Sequence, residues 1–230
     1  MRSVYAAALL AFALRAAAAT WSVIAPGAPE GTSVQDTSDE VRASLWIGLR
    51  ATAGETSSYL YQPLPNWSPD QESQGCSASI EEWCVAASTY TPSGQLGQAY
   101  VTVPKESQVG SEVTIENSKA TQVVSIDSKV VFKETDQLDS NLLYLYSGDE
   151  CYTGSGTCGT QSAYGWNNIT IHLSEADSKL GNTLSLYSGS SSNGLTISDG
   201  GKTWHTDAIK ISSDTFDDNV QKICIRLEGE

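Results

Sequence analysis

Histidine, methionine and phenylalanine are scarce in this chain of 230 residues, which contains two, one and three of them. His172 and His205 do not lie at ligand spacing from a cysteine or from each other, so the usual zinc patterns are excluded. A G-x-S-x-G nucleophile elbow, a phosphate-binding loop and a dinucleotide-binding glycine motif are also absent from the sequence. We therefore expect neither a metal ion nor a cofactor.

Basic residues are also scarce, with 13 Lys and Arg against 27 Asp and Glu and a net charge of −14. Proteins that bind nucleic acid or anionic membranes need a cationic surface, so this balance argues against both partners. The apolar runs are shorter than the stretch of about 18 residues that a membrane-spanning helix requires. We expect a soluble monomer.

Residues 1–19 have the composition of a secretory signal peptide. Arg2 supplies the basic start, residues 4–14 form an apolar run, and Ala17 with Ala19 offers an A-x-A cleavage site before Thr20. We predict secretion to the extracellular space. The remaining residues, 20–230, are then long enough for one domain, and we expect its first part, residues 20–40, to be irregular.

Five cysteines in an oxidising compartment predict disulfide bonds and one cysteine left over. Cys76 with Cys84, and Cys151 with Cys158, are close enough in sequence to close short loops. Other pairings are open at this stage. Cys224 is then either free, bonded to another molecule, or a partner in one of those other pairings.

Two sequons predict N-glycosylation in an exported chain. One begins at Asn66 in Asn-Trp-Ser, and the other begins at Asn168 in Asn-Ile-Thr. We expect both asparagines to lie on the surface.

The dominant pattern of the chain is alternation of apolar and polar residues. Residues 41–49 alternate with this period of two, which is typical of a half-buried strand. About a dozen similar short runs follow, separated by Gly, Ser, Asn and Asp, and at most one helical turn is expected, at 174–180. The pattern predicts an all-β fold, a two-sheet antiparallel β-sandwich, with a barrel as the alternative.

A hairpin motif lies near the end of the chain. The segment from Asp199 to Trp204, Asp-Gly-Gly-Lys-Thr-Trp, resembles the Asp-box hairpin of sialidases, although Ile197 stands where that motif has serine. The resemblance implies a turn closed by hydrogen bonds to the aspartate, with the tryptophan packed beneath it. Such a hairpin has a structural role and carries no catalysis of its own.

A longer pattern extends from residue 45 to residue 126. It contains Trp-Ile-Gly-Leu at 46–49, Leu-Tyr-Gln-Pro-Leu at 60–64, Glu-Trp-Cys-Val at 82–85 and Ile-Glu-Asn at 115–117. This order resembles that of the fungal glutamic peptidases, the eqolisins. The resemblance implies a concanavalin A-like jelly roll whose concave sheet holds a catalytic glutamine and a catalytic glutamate.

In the family the glutamate acts as general base on the attacking water, and the glutamine helps to stabilise the oxyanion. Gln62 matches the glutamine, on the same strand face as Leu60 and Leu64. The strand that should carry the glutamate, residues 141–147, contains no acid. Glu150 is the nearest candidate and Glu134 is the second, so the resemblance implies either an acid endopeptidase or a relative with an incomplete catalytic pair.

Ten tyrosines and six tryptophans support a competing hypothesis, an extracellular binding protein. Flat aromatic rings on a sandwich can stack on sugars, while acids and amides bond to hydroxyl groups. Trp67, in a predicted loop beside Pro65, is the aromatic residue that we expect to be most exposed. The partner would be an extracellular polypeptide or polysaccharide, and a third possibility is a cell-wall or matrix protein without a specific ligand.

Overall fold

The computed structural model describes residues 16–32, 41–51, 58–97, 99–142, 144–152, 157–187, 189–216 and 220–228, without the side chains of 220–224 and 228. Two 3-10 turns lie at Leu180–Thr183 and Asp199–Gly201. No helix in these ranges is long and apolar enough to cross a bilayer. The strands are β1 (Ala16–Ile24), β2 (Arg42–Arg50), β3 (Leu60–Tyr61), β4 (Leu64–Trp67), β5 (Trp83–Ala86), β6 (Ser88–Thr91), β7 (Gly94–Gly97), β8 (Val101–Val103), β9 (Gln108–Glu116), β10 (Lys119–Ile126), β11 (Lys129–Gln137), β12 (Tyr144–Tyr152), β13 (Gly159–Gln161), β14 (Tyr164–Leu173), β15 (Ser185–Leu186), β16 (Ser190–Ser192), β17 (Thr196–Ser198), β18 (Thr203–Ile211), β19 (Asp214–Phe216) and β20 (Val220–Glu228).

Antiparallel pairing joins these strands into two large sheets and one small pair, β13 with β19. The eight-stranded sheet has the order β11-β10-β9-β1-β14-β18-β16, with β17 also paired to β18. The ten-stranded sheet has the order β15-β20-β12-β2-β3-β6-β7, and β4, β5 and β8 extend it beside β2. The predicted all-β antiparallel sandwich is confirmed.

The main core lies between the two large sheets. Strand β2 contributes its alternate residues Leu45, Ile47 and Leu49, which are 1% exposed or less. From the opposite sheet, Trp166 and Ile171 pack into the same cluster. Burying each such side chain stabilises the fold by about 1.5–3 kcal/mol. This packing fixes the position of β2 and therefore of the side chains on its other face.

Strand β1 corrects the expected start of the domain. Residues 20–24, predicted to be irregular, are the second half of a strand that pairs with β9 on one side and β14 on the other. Ala16 to Ala19, the last residues of the predicted signal peptide, form its first half, and Ala19 is fully buried. The sequence did not predict this strand because a run of alanines shows no alternation of apolar and polar residues, and alanine is compatible with both a signal peptide and a strand. Signal-peptide cleavage stays a prediction.

Two disulfide bonds join the predicted pairs, Cys76 with Cys84 and Cys151 with Cys158. The first closes the loop before β5, and the second lies in a small cluster with Val41 and Phe216 at the end of the sandwich. The side chain of Cys224 lies outside the described residues. Both bonds stabilise loops that the sheets alone do not hold.

The hairpin between β17 and β18 has the features that the Asp-box resemblance implies. Thr203 Oγ1 donates to Asp199 Oδ2 at 2.9 Å, and the Lys202 amide donates to the Asp199 carbonyl at 3.3 Å. Trp204 is buried, and its Nε1 donates to the Asp177 carbonyl at 3.0 Å. The hairpin therefore closes the end of the eight-stranded sheet.

Candidate functional site

The ten-stranded sheet has an outer face, directed away from the main core, that carries the candidate site. On β2 this face is formed by Arg42, Ser44, Trp46, Gly48 and Arg50, which alternate with the core residues of the strand. A second, smaller apolar cluster lies here and contains the buried side chains of Trp46, Leu60, Leu64 and Tyr146, with Tyr90 and Tyr144 packed against it. The outer face is therefore aromatic at its centre.

Four residues form a row across four neighbouring strands of this face. Leu49 pairs with Tyr61, which sets Gln62 opposite Gly48, and a Cβ on Gly48 would lie 3.1 Å from the Cβ of Gln62. Gly48 pairs with Tyr146 on β12, and Tyr146 pairs with Arg226 on β20. We call Gln62, Gly48, Tyr146 and Arg226 the central row. Because glycine has no side chain, the Leu60 side chain packs over Gly48, where a Cβ would lie only 2.5 Å from Leu60 Cδ1.

Gln62 lies on the outer face, as its sequence position predicts, and is only 6% exposed. Its backbone N–H donates to the Ser88 carbonyl at 2.9 Å, which anchors the residue beyond the end of β3. Its side-chain amide makes no hydrogen bond to any residue that the structure describes. The amide therefore has both donor and acceptor capacity that the fold does not use.

Tyr146 and Arg226 continue the central row beyond Gly48, on β12 and β20. The Arg226 guanidinium lies over the Tyr144 and Tyr146 rings, with its Cζ 5.8 and 5.9 Å from their centroids. The two rings stack at 5.8 Å with an interplanar angle of 27°. The ring faces attract the positive charge of the guanidinium through cation–π contact.

Trp46 lies one pleat along β2 from Gly48 and is 3% exposed. It contacts Leu60, Leu64 and Tyr146 in the outer apolar cluster. Its indole Nε1 is buried and has no hydrogen-bond partner among the described residues. Burying an indole N–H without an acceptor costs free energy. A hydrogen bond from Trp46 Nε1 to an acceptor would therefore be favourable.

Glu150, the first candidate for the catalytic acid, is on the outer face of β12 but far from Gln62. It pairs with Ser44, four residues along β2 from Gly48, which is about 13 Å at the rise of an extended strand. The structure therefore does not bring Glu150 and Gln62 together. The preceding acid, Asp149, is directed toward the interior, where it is 3% exposed and accepts a hydrogen bond from the Tyr164 hydroxyl.

Glu134, the second candidate, belongs to the other sheet. It pairs with Gln122 across β10 and β11, beside a cavity of about 230 Å³ lined also by Thr89 and Asp136. Gln122 is fully buried, and both ends of its amide are used, since it accepts from the Ser88 amide at 3.3 Å and donates to Thr89 Oγ1 at 2.8 Å. Thr89 in turn donates to Asp136 at 2.6 Å. This network ties the two sheets together at their edge and does not include Gln62.

Trp67 is not exposed, which corrects the prediction of a surface ring. It is 1% exposed within the main core, and its Nε1 donates to the Ile80 carbonyl at 2.8 Å. The residues around it form β4, whose period of two turns Trp67 inward. A ring in this position cannot stack on a sugar.

Asn66 is directed to the outer face and is 9% exposed. Its Oδ1 accepts from the Ser44 hydroxyl, and its Nδ2 donates to the Tyr100 hydroxyl. Burial raises the pKa of Tyr100, and the bond from Asn66 opposes that rise. A glycan on Asn66 Nδ2 would have to displace this contact, so the folded structure corrects the expectation that this sequon lies on the surface. Asn168 of the second sequon is exposed.

The residues that sequence reasoning missed are Gly48, Tyr146 and Arg226. The alternation of Leu145 and Ser147 could have placed Tyr146 on the outer face, because the period of two is regular there. Arg226 could not have been assigned, since β20 joins β12 from the far end of the chain. In the described part of the chain, no group of three or more His, Cys, Asp and Glu side chains is arranged to hold a metal ion.

A search of protein-family models finds no match to this chain, and a search of curated protein sequences finds none. Among solved structures, the crystal structure of scytalido-glutamic peptidase with a transition state analog inhibitor matches over 87% of this chain and 94% of that chain. The TM-score is 0.52 and the sequence identity is 11%. The fold is similar to that of a glutamic peptidase. At this identity the likeness to the glutamic peptidase extends to the fold, and the chemistry has to be argued from the residues in place.

Hydrolysis by a glutamine and a glutamate requires a carboxylate that can accept a proton from water beside the glutamine. In the central row, the side chains that follow Gln62 are the phenol of Tyr146 and the guanidinium of Arg226. A phenol and a guanidinium are hydrogen-bond donors that do not act as general bases in acid. The central row can donate hydrogen bonds and attract negative charge, and it offers no general base.

Proposed function

We propose that this protein is an extracellular binding protein built on a glutamic-peptidase-like β-sandwich, with an incomplete catalytic pair. The observation that carries the proposal is the central row, in which the strand register places Gly48, Tyr146 and Arg226 beside Gln62 and places no acid there. The outer face of the ten-stranded sheet is the binding surface, and a polypeptide or polysaccharide is the partner.

The residues around the row support binding without hydrolysis. Gln62 offers an amide with free hydrogen-bonding capacity, and the half-buried rings of Tyr90 and Tyr144 offer apolar contact. An aromatic surface with a few polar groups that set orientation is typical of binding sites. Without a base to activate water, a bound chain would be released intact.

The two disulfide bonds support an extracellular location. Disulfides persist in oxidising compartments and are rare in the reducing cytosol. Cys76–Cys84 and Cys151–Cys158 both close loops at the ends of the ten-stranded sheet, where they brace the strands that carry the outer face. Secretion through a signal peptide is part of the same proposal.

Incubation of the purified protein with a denatured protein substrate at about pH 2–4, where carboxyl-based hydrolysis runs, tests the proposal. We expect no cleavage above the level of the Gln62→Ala variant. A Tyr146→Glu variant places a carboxylate in the central row with Gln62, and it is the variant in which weak cleavage would be expected. Cleavage by the unaltered protein that Gln62→Ala abolishes would overturn the proposal.

An acid endopeptidase is the second candidate, because Gln62 occupies the outer face of a peptidase-like sandwich next to the buried Trp46. The same assay with Glu150→Gln tests it. Cleavage that depends on both Gln62 and Glu150 would support this enzyme and would require the two residues to approach each other. If nothing is cleaved, retention on chitin or glucan columns would identify a polysaccharide as the partner.

A further inference from the structure

The pairing along strand β18 of the eight-stranded sheet is interrupted at one place. Two short strands pair with successive parts of it, β16 along residues 209–211 and β17 along residues 203–205. Residues 193–195 connect β16 to β17 and form no ladder pair with residues 206–208. A cavity of about 290 Å³ lies between this connection and β18. At about 30 Å³ for each water molecule, the cavity has room for about ten waters or for one small ligand.

The lining of this cavity is polar and carries charges of both signs. Four hydroxyl groups and one side-chain amide line it, from Ser191, Ser192, Thr196, Thr206 and Asn193. Its carboxylate is that of Asp207 and its ammonium group is that of Lys210, and both side chains are exposed. Hydroxyl and amide groups donate as well as accept hydrogen bonds. A ligand that fills the cavity therefore has to offer donors and acceptors in several directions and needs no net charge.

Hydrogen bonds fix two side chains of the lining. The Nε2 of His205 is 3.1 Å from Asp207 Oδ1, and since a carboxylate only accepts, the imidazole donates this bond. The Nδ1 of the same ring is hydrogen-bonded to Thr170 Oγ1 at 3.0 Å. In the connection between β16 and β17, Ser192 Oγ accepts from the Gly194 amide at 3.1 Å. Walls that are already ordered reduce the entropy cost of binding a ligand.

Other groups of the lining have hydrogen-bonding capacity that the fold does not use. The amide of Asn193 and the ammonium group of Lys210 make no hydrogen bond or ion pair with any residue that the structure describes. The second carboxylate oxygen of Asp207 accepts no bond from that part of the chain either. A carboxylate, an amide and an ammonium group together match the hydroxyl groups of a sugar, each of which donates one hydrogen bond and accepts others.

A groove continues from the cavity across the outer face of the same sheet. Its volume is about 440 Å³, and it shares Ala208 and Lys210 with the cavity. Gly165 and Asn167 of β14 and Ile24 at the end of β1 also line it. Gly165 pairs with Lys210 and has no side chain to fill the groove. A ligand with more than one unit can therefore extend out of the cavity toward β1.

We infer that the cavity binds one unit of an uncharged oligosaccharide and that the next units lie in the groove. Asp207 and Asn193 bond to hydroxyl groups of the first unit, and Lys210 donates to an oxygen where the cavity meets the groove. Specific peptide sites need apolar pockets for side chains, whereas the largest apolar side chain in the cavity lining is that of Ala208. This site is on the opposite sheet from Gln62 and goes beyond the proposed function.

Calorimetric titration of the full protein at neutral pH tests the inference, with chitotriose, cellotriose and mannotriose and the corresponding single sugars as probes. We expect at least one trisaccharide to bind, about tenfold more tightly than its single sugar, because the groove adds contacts. Asp207→Asn and Asn193→Ala should each weaken trisaccharide binding by about five- to tenfold at an unchanged melting temperature. The matched control Glu116→Gln removes an exposed carboxylate from β9 of the same sheet and should change binding by less than about twofold.

Gly165→Val separates the groove from the cavity. A Cβ at this position would lie 3.4 Å from the Ile209 carbonyl oxygen and 3.9 Å from Lys210 Cα, which are ordinary contacts, so the variant should fold. The added side chain occupies the groove. We expect the trisaccharide to lose its advantage of about tenfold, while binding of the single sugar changes by less than about twofold.

Failure of all three trisaccharides to bind, or equal losses in Asp207→Asn and Glu116→Gln, would overturn the inference. Tighter binding of trigalacturonate than of any uncharged trisaccharide would also overturn it, because the ligand would then be an anion. If Gln62→Ala weakens trisaccharide binding and Asp207→Asn does not, the sugar lies on the ten-stranded sheet. In that case this inference fails and the proposed function stands.

Discussion

The two faces of strand β2 differ in almost every property although they share one backbone. Inward, Ala43, Leu45, Ile47 and Leu49 are buried in the main core and contain no polar side-chain atom. Outward, the same strand carries two arginines, a serine, a tryptophan and a glycine. The comparison shows that packing between the sheets constrains the inner face to apolar side chains, whereas the outer face of the same strand carries polar, charged and aromatic ones.

The largest expected effect comes from removing volume on the inner face. Ile47→Ala should lower the free energy of unfolding by about 2–4 kcal/mol, since Ile47 is completely buried between the sheets. Tyr152→Ala, at an outward position of β12 where the side chain is 52% exposed, should lower it by less than about 1 kcal/mol. Urea unfolding followed by tryptophan fluorescence measures both, and equal losses would contradict the separation of the two faces.

Adding volume on the outer face should affect both stability and binding. In Gly48→Val the new Cβ would lie 2.5 Å from Leu60 Cδ1 and 3.1 Å from Gln62 Cβ, so neighbouring side chains must shift at a cost of about 1–3 kcal/mol. The substitution also displaces Leu60 and Gln62 on the outer face, and we expect loss of ligand binding there. Melting temperature and ligand affinity are the measurements. A variant that is destabilised but binds normally would show that the positions of Leu60 and Gln62 are not part of the site.

The inner face should also respond to alkali through Tyr61. Burial, with the nearby charge of Asp139, raises the pKa of Tyr61, whose hydroxyl donates to the Gln137 carbonyl at 2.9 Å. The folded protein therefore holds this proton more tightly than the unfolded chain does. Stability that is present below about pH 10 is lost as pH rises above that value.

Comparison of urea midpoints at about pH 9 and about pH 11, on either side of the ordinary tyrosine pKa, checks this expectation. The loss between the two values should be smaller in Tyr61→Phe than in the unaltered protein. Tyr152→Phe is the matched control, because Tyr152 is on the outer face and is 52% exposed. The same loss in all three proteins would show that Tyr61 does not cause it.

The smallest effect concerns the sequons and leaves stability unchanged. Secretion from a eukaryotic host should attach a glycan at Asn168, which is exposed, and not at Asn66, whose side-chain amide is bonded to Ser44 and Tyr100 on the outer face. Intact mass before and after glycosidase treatment gives the number of glycans. Asn168→Gln should remove the mass difference and Asn66→Gln should not; the reverse result would contradict the burial of Asn66.

Local pattern was enough to predict the fold class and the disulfide pairs. Strand β2 alternates because one of its faces packs on the other sheet, and this physical cause leaves a trace in consecutive residues. The failures were at Trp67, whose flanking Pro65 and Asn66 resemble a loop, and at β1, whose alanines lack alternation. In both places the alternation of apolar and polar residues was weak. Both segments are buried because they pair with strands that are distant in sequence, β9 and β14 for β1, and β2 and β5 for β4.

The sequence by itself determined that this chain forms antiparallel sheets with Gln62 on the face of a strand, because side-chain alternation and hydrogen-bonding capacity are local properties. Only the tertiary structure decided what stands beside Gln62. Register across β3, β2, β12 and β20 joins residues 62, 48, 146 and 226 into one row. Strand order and register are set by packing over the whole sandwich, so Glu150, four residues along β12 from Tyr146, can lie outside the central row while Arg226, from the far end of the chain, lies within it.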